Sequence, residues 1–346
     1  MTDTLVPDTL GAADSDAMVR VPPAWFTANL AVPYRSSFVD VDGCAVHYRS
    51  WGDTTRPGVL FVHGGAANSA WYTFLAPFFT STNHVAAIDL SGMGDSGRRD
   101  AYGHEVFTGD LLGVLRDSGM LDHPTPPVVV GHSMGGGVTA ELARRHPELL
   151  LGVLICDVAR HPPASAGLPE RRVSGPPSVK KYYPTREAAL ARYRLAPAQP
   201  CANRYILDYL AAESVREEPQ GWTWKFDVGV FSMERPGVNG RPEHSFAGIT
   251  GRSALVYGGH SHFCNEPTFA LMREETGGRT PIIVVPDAHH HLFIDQPLAF
   301  TAAVQAVLAL WSNEHARGTA LKVGPGPGPG APGRPSALQE TPITPS

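Results

Sequence analysis

The chain has 346 residues, 42% of them hydrophobic and 18% charged, an ordinary globular balance with room for one large α/β domain and an insertion. A formal net charge of −5, with lysines and arginines scattered along the chain, excludes the basic footprint of a nucleic-acid or anionic-membrane binder. No stretch reaches the roughly 18 apolar residues of a membrane span, and the start, MTDTLVPDTLGAADSDAM, lacks a basic n-region and an apolar core, so a cytoplasmic protein is expected.

Residues 1–30 read as an N-terminal extension, acidic and then proline-containing, that packs loosely or has no fixed structure. SSFVDVDGCAVHYRSWG then alternates apolar and polar residues on both sides of Asp42-Gly43, a hairpin signal. Short apolar runs follow: GVLFVHGG, HVAAIDLSG, PVVVGHS, LLGVLICD, SALVYGG and PIIVVPD. Such runs suit strands buried on both faces of a parallel sheet. Helical segments at 104–118, 134–145 and 297–312 lie between or after them, which predicts right-handed βαβ units and a sheet covered on both sides. Residues 161–248 break the rhythm with many prolines, the aromatic pairs Tyr182-Tyr183 and Trp222-x-Trp224, and one helical segment near 201–216. They are expected to form a cap over the carboxyl edge of the sheet. The core is thus 31–160 with 249–316, and the Pro/Gly-rich residues 317–346 are expected to be a disordered tail. Cysteines 44, 156, 201 and 264 are too widely spaced for a disulfide framework and read as small core residues or free thiols.

Gly131-His132-Ser133-Met134-Gly135 has the form G-x-S-x-G between a strand and a helix, the context in which the motif is a nucleophile elbow. The turn is so sharp that its flanks tolerate little side chain, and the serine Oγ is lifted clear beside a helix N-terminus. The plainer alternative is a glycine-rich helix entry packed on a strand. A hydrolytic serine also needs oxyanion donors. After Val62 the chain turns away through His63-Gly64-Gly65-Ala66, so the N–H of Gly65, with Ala66 as fallback, pairs with the N–H of Met134 as the candidate hole. The general base should be a histidine on a loop after the last strand, where PDAHHHLFIDQPLAF offers three.

FVHGGAANSAW, AIDLSGMGDSGRR, VVVGHSMGG and VVPDAHHHLFIDQPLAF, in this order, resemble the α/β-hydrolase superfamily, in its cap-bearing serine hydrolase branch, over residues 36–160 and 250–312. The resemblance implies a mostly parallel sheet of about eight strands with helices on both faces and an inserted cap. It also implies the chain order nucleophile, acid, histidine. Laid on the family's closing motif, His289 stands where a glycine is usual, His290 takes the catalytic position and His291 is its neighbour. A serine at the elbow disfavours the haloalkane dehalogenases and epoxide hydrolases, which place aspartate there.

The acid departs from the pattern. After SALVYGG the family commonly has G-x-x-D, and here the letters are Gly258-Gly259-His260-Ser261. Asp157, at the end of LGVLICD, is the first substitute, since several branches draw their acid from that strand. Glu266 is the second, and the third possibility is that no acid serves. Loss of the acid from such a triad costs on the order of 10⁴ in turnover.

His260 and His262 should lie near His289–His291, but adjacent residues point in different directions and no carboxylate or cysteine completes a ligand set, so no metal is expected. Gly92-x-Gly94-x-x-Gly97 matches a dinucleotide fingerprint by letters alone, and no cofactor is called for. Trp222, Trp224, Phe226 and Phe231 line an apolar pocket or form the cap's own core. The resulting expectation is a serine hydrolase of a small ester or lactone, with a small-molecule substrate as its partner and its oligomeric state open. The rivals are carbon–carbon bond hydrolysis by the same triad and a ligand-binding pseudoenzyme or receptor with little turnover.

Overall fold

The computed structural model describes residues 19–158, 179–232 and 246–318. The strands are β1 (Arg35–Val41), β2 (Cys44–Trp51), β3 (Gly58–Val62), β4 (His84–Ile88), β5 (Val128–His132), β6 (Gly152–Cys156), β7 (Val215–Glu218), β8 (Gly221–Trp224), β9 (Ser253–Gly258) and β10 (Ile282–Val285). Eight of them form one sheet in the order β1-β2-β4-β3-β5-β6-β9-β10, and β7 pairs with β8 alone. β2 runs antiparallel to both of its neighbours, while every pairing from β4 across to β10 is parallel. The expected mostly parallel sheet of about eight strands is therefore present.

Why the apolar runs are unbroken is visible in how they divide. In β3, Val59 and Phe61 join the core on one face, and Leu60 and Val62 join the core on the other. β5 splits Val128 and Val130 from Val129 in the same way, as β6 splits Leu154 from Val153 and Ile155. A strand buried on both faces has no polar side to write into its sequence. The helices are α1 (Ala24–Leu30), α2 (His104–Asp117), α3 (Met134–Arg145), α4 (Arg186–Leu190), α5 (Arg204–Glu213), α6 (Glu266–Thr276), α7 (Leu292–Asp295) and α8 (Pro297–Ala316). α2 and α3 cover one face through Phe107, Leu111 and Val138. α8 covers the other through Phe300, Val304 and Trp311.

The hairpin turns where the sequence predicts, with Asp42 at φ 50° and Gly43 at φ 78°, the pair of positive angles a two-residue type I′ turn requires. One segment differs from expectation. Residues 24–30 form α1, because Phe26, 3% exposed, seats its ring against Phe74 and Tyr205 at 5.4 and 4.8 Å. The expectations for residues 1–18 and for the tail from 319 onward lie outside the described residues. Among the described residues, no helix is long and apolar enough to cross a membrane.

Asp89, just after β4, ties three segments together. Its carboxylate accepts from His47 Nδ1 of β2 at 2.7 Å and from the backbone N–H groups of Ser69 and Asp95. Burial pushes this carboxyl up, but the His47 bond and charge, with the Asp95 N–H, outweigh it and hold the group well below the ordinary carboxylate range. With a depressed folded pKa, the stabilisation is present above the unfolded value of about 4 and is lost as pH falls through and below it. Asp89→Ala is expected to cost about 3–5 kcal/mol of unfolding free energy near neutrality, measured by urea denaturation. It should also reduce the acid sensitivity of that free energy below about pH 4.

Candidate active site

β5 enters α3 with a single residue between them. Ser133 sits there at φ 53°, ψ −122°, a region that L-residues adopt only when the surroundings impose it. The imposition comes from contact of backbone with backbone. A Cβ on Gly135 would stand 2.3 Å from the His63 carbonyl oxygen, and one on Gly131 would stand 2.4 Å from the Gly135 carbonyl oxygen. Side chains at either place would drive the helix off the sheet. The Ser133 N–H donates to the Cys156 carbonyl at 2.9 Å, so β6 holds the elbow as well.

Ser133 Oγ is 3.0 Å from His290 Nε2, and His290 Nδ1 is 2.8 Å from Asp157 Oδ1. Asp157 is fully buried. It follows β6 at φ 50° and accepts two further hydrogen bonds, from the Gly258 N–H at 2.9 Å and from Ser261 Oγ at 2.6 Å. Ser261, at the usual place of the family's acid, thus donates to the carboxylate supplied by the neighbouring strand. Glu266 is elsewhere: it lies in the first turn of α6, mostly exposed and paired with Arg273.

Gly65 and Met134 face one another across the same spot. A Cβ on Gly65 would lie 3.9 Å from Met134 Sδ and 3.2 Å from the Phe231 ring. Among the described residues, neither N–H donates to a backbone carbonyl. The loop that carries Gly65 is braced by His63, whose Nδ1–H donates to the Gly64 carbonyl at 2.7 Å while Nε2 accepts the Leu90 N–H at 3.1 Å. Burial keeps that imidazole below its ordinary pKa, and both bonds need the neutral ring. Ala66, the fallback donor, has φ 59°.

Other expectations resolve against these neighbours. Gly92, Gly94 and Gly97 donate their N–H groups to the carbonyls of Gly97, Lys225 and Ala45, so they offer a phosphate nothing. The aromatics divide: Phe231 stands against Gly65, with Phe226 edge-on to it at 5.7 Å. Trp224 packs instead on Tyr183 and Tyr193, each 5.9 Å away.

Sequence reasoning missed two supports of the histidine loop. His132 Nε2–H donates to the His290 carbonyl at 2.8 Å, tying the loop to the elbow. It occupies the x of G-x-S-x-G, a position the motif leaves unread. From the inserted segment, Gln199 accepts the His291 N–H at 2.8 Å and donates to Asp295 at 2.9 Å. The same Asp295 oxygen accepts the His289 N–H at 2.7 Å. Asn203 adds bonds to the carbonyls of Ile294 and Asp295. Nothing in the proline-rich run around Gln199 signals this clamp.

Fold and site together define an enzyme, a hydrolase of the α/β-hydrolase superfamily resembling carboxylic ester hydrolases. The alpha/beta hydrolase family matches residues 59–304, and the chain belongs to it. It is similar to an sn-1-specific diacylglycerol lipase of Mus musculus, 23% identical over 75% of this chain and 83% of the relative. It is also similar to an esterase of Mycobacterium tuberculosis, 26% identical over 78% of this chain and 88% of the relative. Among solved structures, E-2-(acetamidomethylene)succinate hydrolase superposes with a TM-score of 0.65 at 20% identity, covering 80% of this chain and 100% of that one.

Gln199→Leu keeps the volume and removes both bonds to the loop that carries His290. Ester turnover is expected to fall about tenfold through misplacement of the imidazole. KM should stay near its original value, which steady-state kinetics separates from an effect on substrate binding.

Proposed function

We propose that this hydrolase cleaves a small ester or lactone through an acyl-enzyme on Ser133. The observation that carries the reading is the unbroken run of contacts from Ser133 Oγ through His290 to Asp157, at 3.0 and 2.8 Å. A slow binder would follow from a missing acid, and a buried carboxylate stands within hydrogen-bond reach of the imidazole.

In this mechanism Ser133 Oγ attacks the carbonyl carbon as its proton passes to His290 Nε2. Asp157 accepts the Nδ1–H, which fixes the tautomer and stabilises the imidazolium that forms. The negative charge on the carbonyl oxygen is met by the N–H groups of Gly65 and Met134. His290 then delivers its proton to the departing alkoxide, and water attacks the acyl-enzyme by the same route in reverse. Phe231 and Met134 beside Gly65 favour an apolar acyl group.

A fluorophosphonate probe read by intact mass tests this directly. The wild-type chain should label once, and Ser133→Ala should abolish both labelling and hydrolysis of a p-nitrophenyl ester. Asp157→Asn should slow turnover by a factor on the order of 10⁴, while Glu266→Gln should leave it unchanged. Undiminished ester hydrolysis by Ser133→Ala would overturn the reading.

A further inference from the structure

Three imidazoles meet beneath the site. One nitrogen from each of His132, His290 and His291 lies within 4.8 Å of the others. The ring centroids are 4.8, 5.5 and 4.9 Å apart for His132–His290, His132–His291 and His290–His291. His132 and His291 are 1% and 3% exposed. His132 Nδ1 and both ring nitrogens of His291 have no hydrogen-bond partner among the described residues. A buried polar atom left without a partner is costly, and an ion or a water is among the few things that explain one.

The tautomers suit a ligand set. His132 spends Nε2–H on the His290 carbonyl, which leaves Nδ1 with its lone pair. The Pro197 carbonyl faces the His291 ring without closing a hydrogen bond, so the proton can stay on that side and the other nitrogen is free. Burial, reinforced by the neighbouring His290, holds both imidazoles well below their ordinary pKa, and the neutral ring is the form that ligates. The set has no oxygen ligand, so it fits neither magnesium nor calcium. Three imidazoles suit zinc, nickel or copper.

We propose that His132, His290 and His291 bind a borderline transition-metal dication such as Zn²⁺, and that this binding inhibits the enzyme. The third ligand is a ring nitrogen of His290, whose two nitrogens are otherwise bonded to Ser133 Oγ and to Asp157. Zinc–imidazole bonds of 2.0–2.1 Å in a tetrahedron bring ligand nitrogens to about 3.4 Å from one another. Closing the trio from 4.8 Å therefore draws His290 out of the contacts it makes with Ser133 and Asp157. The fourth position is open to water. The sequence reading set a metal aside by considering His260, His262 and His289–His291, whereas the ring that completes this trio comes from the elbow. Only the inhibitory consequence rests on His290 being the base; the binding does not.

The test is equilibrium dialysis of Zn²⁺ against the full chain and His291→Phe, run beside ester hydrolysis with Zn²⁺ and with EDTA. Phenylalanine replaces the ring beside Trp71 and offers no nitrogen. The wild type should bind Zn²⁺ and lose hydrolysis in the same concentration range, with EDTA restoring it. His291→Phe and His291→Leu should need at least tenfold more Zn²⁺ for both effects, inhibition being read against each variant's own metal-free rate. Equal Zn²⁺ binding by wild type and variants overturns the proposal, as does inhibition that Mg²⁺ matches. Should the wild type hydrolyse no ester, the ester reading falls while dialysis still decides the metal site. If neither variant folds, Co²⁺-loaded wild type decides it: intense visible d–d bands of a four-coordinate nitrogen site are expected, and the weak bands of octahedral Co²⁺ overturn it.

Discussion

The first turn of α3 lies against the end of β3 with no side chain between them, and the rest of the site depends on that contact. The Gly135 backbone sits against the carbonyls of Val62 and His63, which forces Ser133 into its positive φ and aims Oγ out of the sheet. It also brings Met134 beside Gly65, so one close approach places the serine and both candidate oxyanion donors. Such packing stores strain that only a large, well-buried core sustains. The two-faced sheet supplies it, since β3 and β5 are buried along their whole length.

The imidazole is held from three directions, and each hold is polar and buried. Asp157 binds Nδ1, His132 binds the main-chain carbonyl, and Gln199 fixes the next peptide N–H. Asp157 is held in turn by Gly258 and Ser261. A carboxylate removed from water needs this many donors, because an unpaired charge there would cost several kcal/mol. Ser261 supplies one of them in place of a second acid. Two carboxylates that close would repel, and one would take up a proton.

The strands and main helices were legible because their signals are local. Period and punctuation identify β3, β5 and α3, and a turn dipeptide marks the hairpin at Asp42-Gly43. Ser133, Gly65 and Met134 can be named as candidates from the sequence because an elbow is a local steric problem with few solutions. The neighbour of His290 could not be read in the same way. The sequence ranks Asp157 ahead of Glu266 and of no acid at all without placing any of them, whereas the register of β6 against β9, with Cys156 opposite Val256, carries Asp157 to the Gly258 N–H. The contacts of the inserted segment were illegible for a related reason: Gln199 and Asn203 act through main-chain groups almost a hundred residues away, and no spacing rule reaches that far. α1 escaped notice because one ring, Phe26, does most of its anchoring.

With Asp157 at the end of β6, Ser133 and the carboxylate that His290 meets arrive on adjacent strands joined by a single helix, and both are in place before the inserted segment begins. β9 and the loop after it are thereby released from delivering a charged group and contribute a peptide N–H and a hydroxyl. Evolution can then lengthen, shorten or replace the stretch between β6 and β9 while putting the placement of one histidine at risk, and that histidine answers to the insertion itself through Gln199. Selectivity for new substrates can be explored in that stretch with little disturbance to the pair already built.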